Sequence, residues 1–492
     1  MRSRAKLMSV CLRLGRWVPF PAALTASGCV DRVGPVLGDT PVAPSPAPVE
    51  PVPTPDQLAW QRQELTAFLH FGMNTFTNVE EGDGTASPTL FNPTALDANQ
   101  WMATFRAAGM REAMLTAKHH DGFCLWPTKC TNYSVAASPW LGGHGDVVRE
   151  FVDAAHEANI RVGLALSPFD KHDPKYGTSA YYSVFVCQLT ELLTDYGAVD
   201  EIWLWDDQPP SPAFDWEAVR DLVHQLQPHS LLDIGNVPTI AGADVRSTAQ
   251  ALPGAPPVDQ RSVQTVPNSP SPAPVWYPAE AVISIRPGWF WHAAEDTQLV
   301  PLSQAAGTTA PSLVGFYFDS VGRNSTLRLN VPPNTQGVLA NPDVAELKAY
   351  GPAIASIYQT NLAEGRPTSV DSVFKDLPTY GPPMAVDGNI DTFWAAAEGT
   401  TSARLEVDLG STRTFNLVSL EEPIALGERA TVHHIEAKTN GVWTTIASGT
   451  GIGERKLHRV GSVTASGVAL VITQARAAPA VAEFGVYVSP FP

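Results

Sequence analysis

Ala113-Met114-Leu115-Thr116-Ala117-Lys118-His119-His120-Asp121-Gly122-Phe123 opens as an apolar run and breaks abruptly into lysine, two histidines and an aspartate. The first half reads as a short buried strand. The second half reads as the strand's end passing into a loop, where binding side chains concentrate. Such polar groups are costly to bury unless paired, so the run is either a solvated turn or one wall of a site.

Working outward, apolar runs recur at 64–71, 161–167, 201–205 and 230–234, with amphipathic stretches between them. In 145–159, Val148, Phe151, Val152 and Ala155 share one helical face and Asp146 stands where an N-cap belongs. In 96–110, Trp101, Phe105 and Ala108 follow at helical steps. This alternation runs from about Leu65 to Pro333 and predicts a parallel sheet. A (β/α)8 TIM barrel is the expected closure, with an open doubly wound sheet as the alternative. No G-x-G-x-x-G or phosphate loop opens any of these helices, which weighs against nucleotide binding.

In a barrel the site lies at the C-terminal ends of the strands. Those ends give Leu69-His70-Phe71-Gly72-Met73-Asn74, Lys118-His119-His120-Asp121, Ser167-Pro168-Phe169-Asp170 and Trp203-Leu204-Trp205-Asp206-Asp207. Together they make a pocket of donors, acceptors and aromatic faces, which suits the hydroxyls and apolar face of a sugar ring. Metal binding is the rival use of the histidines. Adjacent His119 and His120 are poor joint ligands, and neither H-x-H nor H-E-x-x-H occurs, so no metal is expected there.

The 492 residues exceed one ordinary core, and two domains with a leading tail are expected. A net charge of -17 argues against nucleic acid or an anionic bilayer as the main partner. A neutral ligand fits better, and 13 tryptophans can supply stacking faces.

Residues 1–29 read as a signal or lipoprotein-like segment. Arg2, Arg4 and Lys6 lead a short apolar stretch that Arg13 and Arg16 interrupt, and Ala26-Ser27-Gly28-Cys29 resembles a lipoprotein processing box. Lipidation of Cys29 would tether the chain to a membrane, so export to a bacterial cell envelope or beyond is expected. Residues 30–57, with Pro44, Pro46, Pro48, Pro51, Pro53 and Pro55, read as an extended linker. Cys124, Cys130 and Cys187 form neither a disulfide framework nor zinc spacing. Pairing of Cys124 with Cys130 is possible after export; buried free thiols are the simpler expectation.

Within a barrel domain expected at residues 58–355, the chain from about Trp60 to Gly351 resembles glycoside hydrolase family 29, the α-L-fucosidases, and more closely the branch that prefers α-1,3/1,4-linked fucose. The resemblance rests on His70-Phe71-Gly72-Met73-Asn74-Thr75-Phe76, Leu115 to Phe123, Ser284-Ile285-Arg286-Pro287-Gly288-Trp289-Phe290, Ser320-Val321-Gly322-Arg323-Asn324 and Leu329-Asn330-Val331-Pro332-Pro333. It implies a (β/α)8-like barrel, no cofactor, and fucosylated glycans as partners. His70, His119 and His120 would hold fucose hydroxyls, with Trp203, Arg246 and Trp289 completing the sugar-binding set.

The resemblance also implies a retaining double displacement by two carboxyls about 5 to 5.5 Å apart, and there the chain departs from its family. Laid without a gap on Tyr196-Gly197 and Glu201-Ile202-Trp203-Leu204, the nucleophile falls on Trp205. A one-residue bulge would restore Asp206, with Asp207 as the alternate. The usual acid position is Ala251, leaving Glu280 or Glu81 as a substitute; the position of a usual tyrosine is Ala165. Two functions follow: an exo-acting α-L-fucosidase, or an impaired homologue that binds glycans without cleaving them.

Residues 360–492 change character. Segments 403–409, 414–420, 432–438, 442–447 and 467–473 read as short strands of a β-sandwich. Ala385-Val386-Asp387-Gly388-Asn389-Ile390-Asp391-Thr392-Phe393-Trp394 and Leu405-Glu406-Val407-Asp408-Leu409-Gly410 resemble discoidin-like, coagulation-factor C-type modules. That resemblance implies carbohydrate binding and a structural calcium, with Asp387 and Asp391 as candidate ligands.

Overall fold

The computed structural model describes residues 44–205, 214–234, 243–248, 258–265, 273–304 and 310–491. Eight parallel strands form the first sheet: β1 (Leu65–Leu69), β2 (Glu112–Lys118), β3 (Arg161–Leu166), β4 (Glu201–Trp203), β5 (Leu231–Asp233), β6 (Arg246–Thr248), β7 (Ala279–Ser284) and β8 (Ser325–Asn330). Neighbours run β5-β4-β3-β2-β1-β8-β7-β6. A parallel bridge from Asp233 to Val245, just ahead of β6, joins the two ends. The sheet therefore curls into the expected barrel.

Burial explains why these strands appear in the sequence as unbroken apolar runs. Every residue of β1 and β2 is buried, because one face meets helices and the other fills the lumen. Leu69, Ala113 and Leu115 join the helix-facing core, while Phe68, Met114, Ala165 and Trp203 pack inside with Trp205. The helices start where capping predicts. Asp97 accepts from Gln100 N–H at the head of α2 (Ala98–Ala107), and Asp146 accepts from Arg149 N–H at the head of α3 (Val147–Glu157). α1 (Pro55–Gln61) carries a full capping box on Thr54.

The second sheet is antiparallel, ordered β9 (Thr368–Val370), β10 (Ala403–Glu421), β13 (Lys456–Ala475), β11 (Ala430–Thr439) and β12 (Val442–Gly449), with β14 (Glu483–Tyr487) paired to β10. The segments expected as separate strands at 403–409 and 414–420 are one strand. Its pairing with β13 shifts register between Asp408 and Arg413 instead of turning.

Residues 46–492 form one compact unit. Part of the stretch expected as a free linker is held against the sandwich: Val49 N–H donates to Leu426 O at 2.9 Å, and Arg429 donates to Ala47 O at 2.6 Å. No described helix is long and apolar enough to cross a membrane. Cys29 lies outside the described residues.

The thiol expectation is corrected. Cys130 and Cys187 form a disulfide, and Cys124 is a buried free thiol. The bridge ties the loop after β2 to α4 (Ser179–Thr194), a proximity that linear spacing cannot show.

Candidate active site

His70 leaves β1, His119 and His120 leave β2, Trp205 leaves β4, and Trp289 with Phe290 follows β7. Their rings meet at the C-terminal mouth of the barrel. His119 lies 4.4 Å from His120 and 5.6 Å from His70, centre to centre. Trp205 sits among all three histidines, at 5.8 Å from His70, 5.2 Å from His119 and 4.8 Å from His120. Trp289, 36% exposed, reaches the rim 5.5 Å from His70, and buried Phe290 lies 5.0 Å from His119.

Each histidine is oriented by a second residue. His70 Nδ1 and its backbone N–H both bond Asn330 Oδ1, at 3.0 and 3.2 Å. Asn330 in turn donates to Ser284 Oγ and to Trp289 O, linking β8 to the rim. His120 Nδ1 lies 2.6 Å from Ser167 Oγ, and Asn74 approaches His119 Nδ1 at 3.4 Å. Loss of water first, and then the charges of His120, His70 and Lys171, hold His119 well below the ordinary imidazole value. That favours the neutral ring, in which one nitrogen donates and the other accepts.

Behind this wall lies a buried polar network. Lys118 Nζ bonds Tyr181 OH at 2.7 Å and Gln188 Oε1 at 3.0 Å, with Asp170 Oδ2 at 3.4 Å. Lysine in the Lys118-to-Phe123 run therefore supports the site from beneath.

Glu80 and Glu81 brace the mouth in opposite directions. Glu80 accepts from Trp289 N–H at 2.7 Å and Phe290 N–H at 3.2 Å, and pairs with His292 at 2.7 Å. Glu81, mostly exposed, pairs with Lys171 beyond β3 at 3.0 Å.

Several expected site residues lie elsewhere. Glu280, offered as a substitute acid, is fully buried and pairs with Arg328 at 2.8 Å. It stands four residues before the end of β7, roughly 13 Å below the mouth at strand rise. Arg328 also meets Glu201 at 2.7 Å and Glu112 at 3.6 Å, so Glu280 belongs to an ionic plug of the barrel. Burial, only partly offset by Arg328, pushes its carboxyl well up. Arg246 opens β6 and spends its guanidinium on Tyr277 O, Gln260 Oε1 and Arg261 O at 2.9–3.1 Å, joining loops outside the pocket. Trp203 lies in the lumen against Phe68 and Trp205, one layer below the histidines. Asp206, Asp207 and Ala251 lie outside the described residues.

Trp205 was expected among the aromatic faces of the pocket and at the nucleophile's register; what the sequence did not show is that its indole sits among all three histidines. The substitution at Ala165 was the available signal: this small side chain packs in the same cluster as the Trp205 indole.

The two candidate calcium ligands have protein partners. Asp387 spends its two oxygens on Asn389 N–H and Thr392 OH, while Asp391 pairs with Arg62 at 3.1 Å. Among the described residues, the one trio of groups close enough to hold an ion is Cys130, Cys187 and Glu191, whose cysteines are joined to each other.

Comparison with known proteins agrees with this geometry. The Alpha-L-fucosidase family profile matches residues 57–355, and the F5/8 type C domain profile matches 369–484. Alpha-L-fucosidase 1 of Arabidopsis thaliana is 38% identical over 474 residues, covering 91% of this chain and 90% of that one. A solved structure named SpGH29 superposes with a TM-score of 0.80 at 32% identity, covering 90% and 99%. A mutant of a Ruminococcus gnavus GH29 fucosidase in complex with fucose gives 0.79 at 30% identity, covering 91% and 97%. The chain belongs to the α-L-fucosidase family of glycosidases and carries an F5/8 type C domain behind its barrel.

Proposed function

We propose that the protein is an exported, exo-acting, retaining α-L-fucosidase that releases terminal α-1,3/1,4-linked L-fucose from glycans. The observation that carries this reading is the convergence of His70, His119, His120, Trp205 and Trp289 on one barrel mouth in a chain matched along the whole barrel. The imidazoles supply hydroxyl contacts, and the indoles supply apolar faces for the sugar's CH groups. Asp206, next to Trp205, attacks the anomeric carbon; the leaving oxygen takes a proton from a second carboxyl, and water then releases fucose from the fucosyl-enzyme. Of the two substitute acids, Glu81 is the one at the mouth, and we assign it that proton. The Cys130–Cys187 disulfide supports export, since such bonds persist in oxidising compartments. Cys29 would tether the exported chain.

The test incubates the purified protein with an aryl α-L-fucoside and with a fucosylated trisaccharide, with fucose binding measured in parallel. Both substrates should release fucose, and Asp206→Asn should lose at least about a hundredfold, the lower scale for a group acting on protons or bonds in the transition state. Saturable fucose binding with no release from either substrate would overturn the proposal.

A further inference from the structure

Two buried asparagines, Asn330 at the end of β8 and Asn74 in the short helix Met73–Thr77 after β1, touch the histidine wall. A carboxamide has one end that only accepts hydrogen bonds and one that only donates them, so its neighbours decide which way it points. One end of Asn330 meets the His70 backbone N–H at 3.2 Å, a group that can only donate, so that end is Oδ1. The other end meets Trp289 O at 2.9 Å, a group that can only accept, so that end is the amide nitrogen. Ser284 Oγ agrees with this orientation: it gives its hydrogen to Gly288 O and receives one from Asn330 at 3.0 Å.

That orientation places the hydrogen on His70. Its Nδ1 lies 3.0 Å from the same Oδ1, which has no hydrogen to give, so Nδ1 carries one. In the neutral ring Nε2 is then a lone pair, and whatever meets it must donate. Asn74 reverses the arrangement at His119. Its Oδ1 accepts from Gly82 N–H at 3.1 Å, and its Nδ2 donates to Glu80 O at 2.8 Å. A Cβ at residue 82 would fall 2.5 Å from that Oδ1, so glycine permits the approach. The nitrogen end of Asn74 therefore faces His119 Nδ1, at 3.4 Å. A hydrogen on Nδ1 would point at the amide hydrogens, whereas a lone pair there receives one of them. Burial favours the neutral form of this ring, and its single hydrogen then sits on Nε2.

We propose that Asn330 and Asn74 are positioning residues that hold His70 and His119, whose ring centres lie 5.6 Å apart, in opposite tautomers, so that the wall offers an acceptor at His70 Nε2 and a donor at His119 Nε2. The use of these two atoms rests on the proposed fucosidase activity; the tautomers themselves do not. A sugar hydroxyl suits both, because it gives one hydrogen and receives another. An ether or ester oxygen has no hydrogen for His70, so the pair selects a free hydroxyl.

The test is heteronuclear NMR of the imidazole nitrogens in the full chain at pH 8, without sugar, with His70→Gln and His119→Gln assigning the two rings by loss of their signals. His70 should show a protonated Nδ1 and a bare Nε2, and His119 the reverse. Asn74→Asp sets an acceptor against His119 and should move its hydrogen to Nδ1 while His70 stays as it was. The same variant should raise KM for an aryl α-L-fucoside by roughly two- to tenfold, the scale of one hydrogen bond, and lower kcat by less. A structural role alone would not relocate that hydrogen. Any other pattern on the two rings of the unsubstituted protein, a doubly protonated His70 included, would overturn the proposal, as would an unmoved His119 hydrogen in folded Asn74→Asp. If that variant does not fold, the spectrum of the unsubstituted chain decides. Opposite tautomers in a chain that neither binds nor releases fucose would count against the activity and leave the assignment standing.

Discussion

Directly after the paired histidines, Asp121 is 2% exposed, and burial first and the Asp170 charge second push its carboxyl up to about 7. Its unfolded value lies near 4, so the fold favours the protonated form. That contribution is complete below about 4 and is lost as pH rises through about 7. Asp121→Asn cannot ionise but keeps an acceptor for the Phe123 N–H. It should melt several degrees above the unsubstituted protein at pH 8 and level with it near pH 4; a gap independent of pH would refute the assignment. Glu81 is tested by a different discriminant. A lost proton donor hurts poor leaving groups most, so Glu81→Gln should slow trisaccharide cleavage by roughly 10²-fold or more while an activated aryl fucoside loses less than about tenfold. Equal losses on both would return Glu81 to a bracing role through Lys171. Both residues were visible in the sequence as carboxyls beside a motif. Their environments were not, because burial and ion pairing depend on which loops meet, as Glu280 shows: a strand carboxylate and a mouth carboxylate read alike until Arg328 appears beside one of them.

Among elements, strands buried on both faces and helices capped by Asp97 and Asp146 were legible, since each writes its cause locally. Long-range pairings were not. β10 looked like two strands because Gly410-Ser411-Thr412 resembles a turn, whereas pairing with β13 carries the chain through a register shift. The Cys130–Cys187 bridge was missed for the same reason: it depends on α4 passing the loop after β2. That loop is further held by Glu191 of α4, which accepts from Trp126 Nε1 at 2.8 Å and Thr128 OH at 2.6 Å, while Tyr181 and Gln188 of the same helix hold Lys118 under the histidines. The disulfide closes 57 residues, for which chain entropy gives about 4 kcal/mol. Replacing both cysteines by serine should therefore lower the midpoint of thermal unfolding by about 5 °C or more and, on the proposed role of the histidines in binding, raise KM for the aryl fucoside more than it lowers kcat. A midpoint within 1–2 °C of the original, on the scale of about 1 kcal/mol, would show that the Glu191 contacts hold α4 without the bridge.

For the whole molecule, the Ser320-Val321-Gly322-Arg323-Asn324 motif joins barrel to sandwich, well away from the histidine pocket in its contacts. Arg323 pairs with Asp259 at 2.9 Å, and Asp259 also meets Lys456 of β13. Asn324, in the left-handed region at φ 63°, donates to Gln260 O at 3.2 Å and Glu428 Oε1 at 2.9 Å and accepts from Glu454 N–H at 2.8 Å. One side chain thus stitches β8's approach, the 258–265 segment and two sandwich loops together. Asn324→Gly separates that role from backbone conformation, because glycine adopts the same positive φ without cost. Three lost bonds at about 0.5–1.5 kcal/mol each, with Glu428 left short of a donor, should weaken the junction by roughly 2–4 kcal/mol. Calorimetry of the full chain should then show the barrel and sandwich melting in two steps where the unsubstituted protein melts in one, with aryl fucoside hydrolysis at 25 °C unchanged because the histidine wall is untouched. A single transition at the original midpoint would mean that the surrounding Arg455–Glu64 and Arg455–Glu421 pairs couple the domains without Asn324.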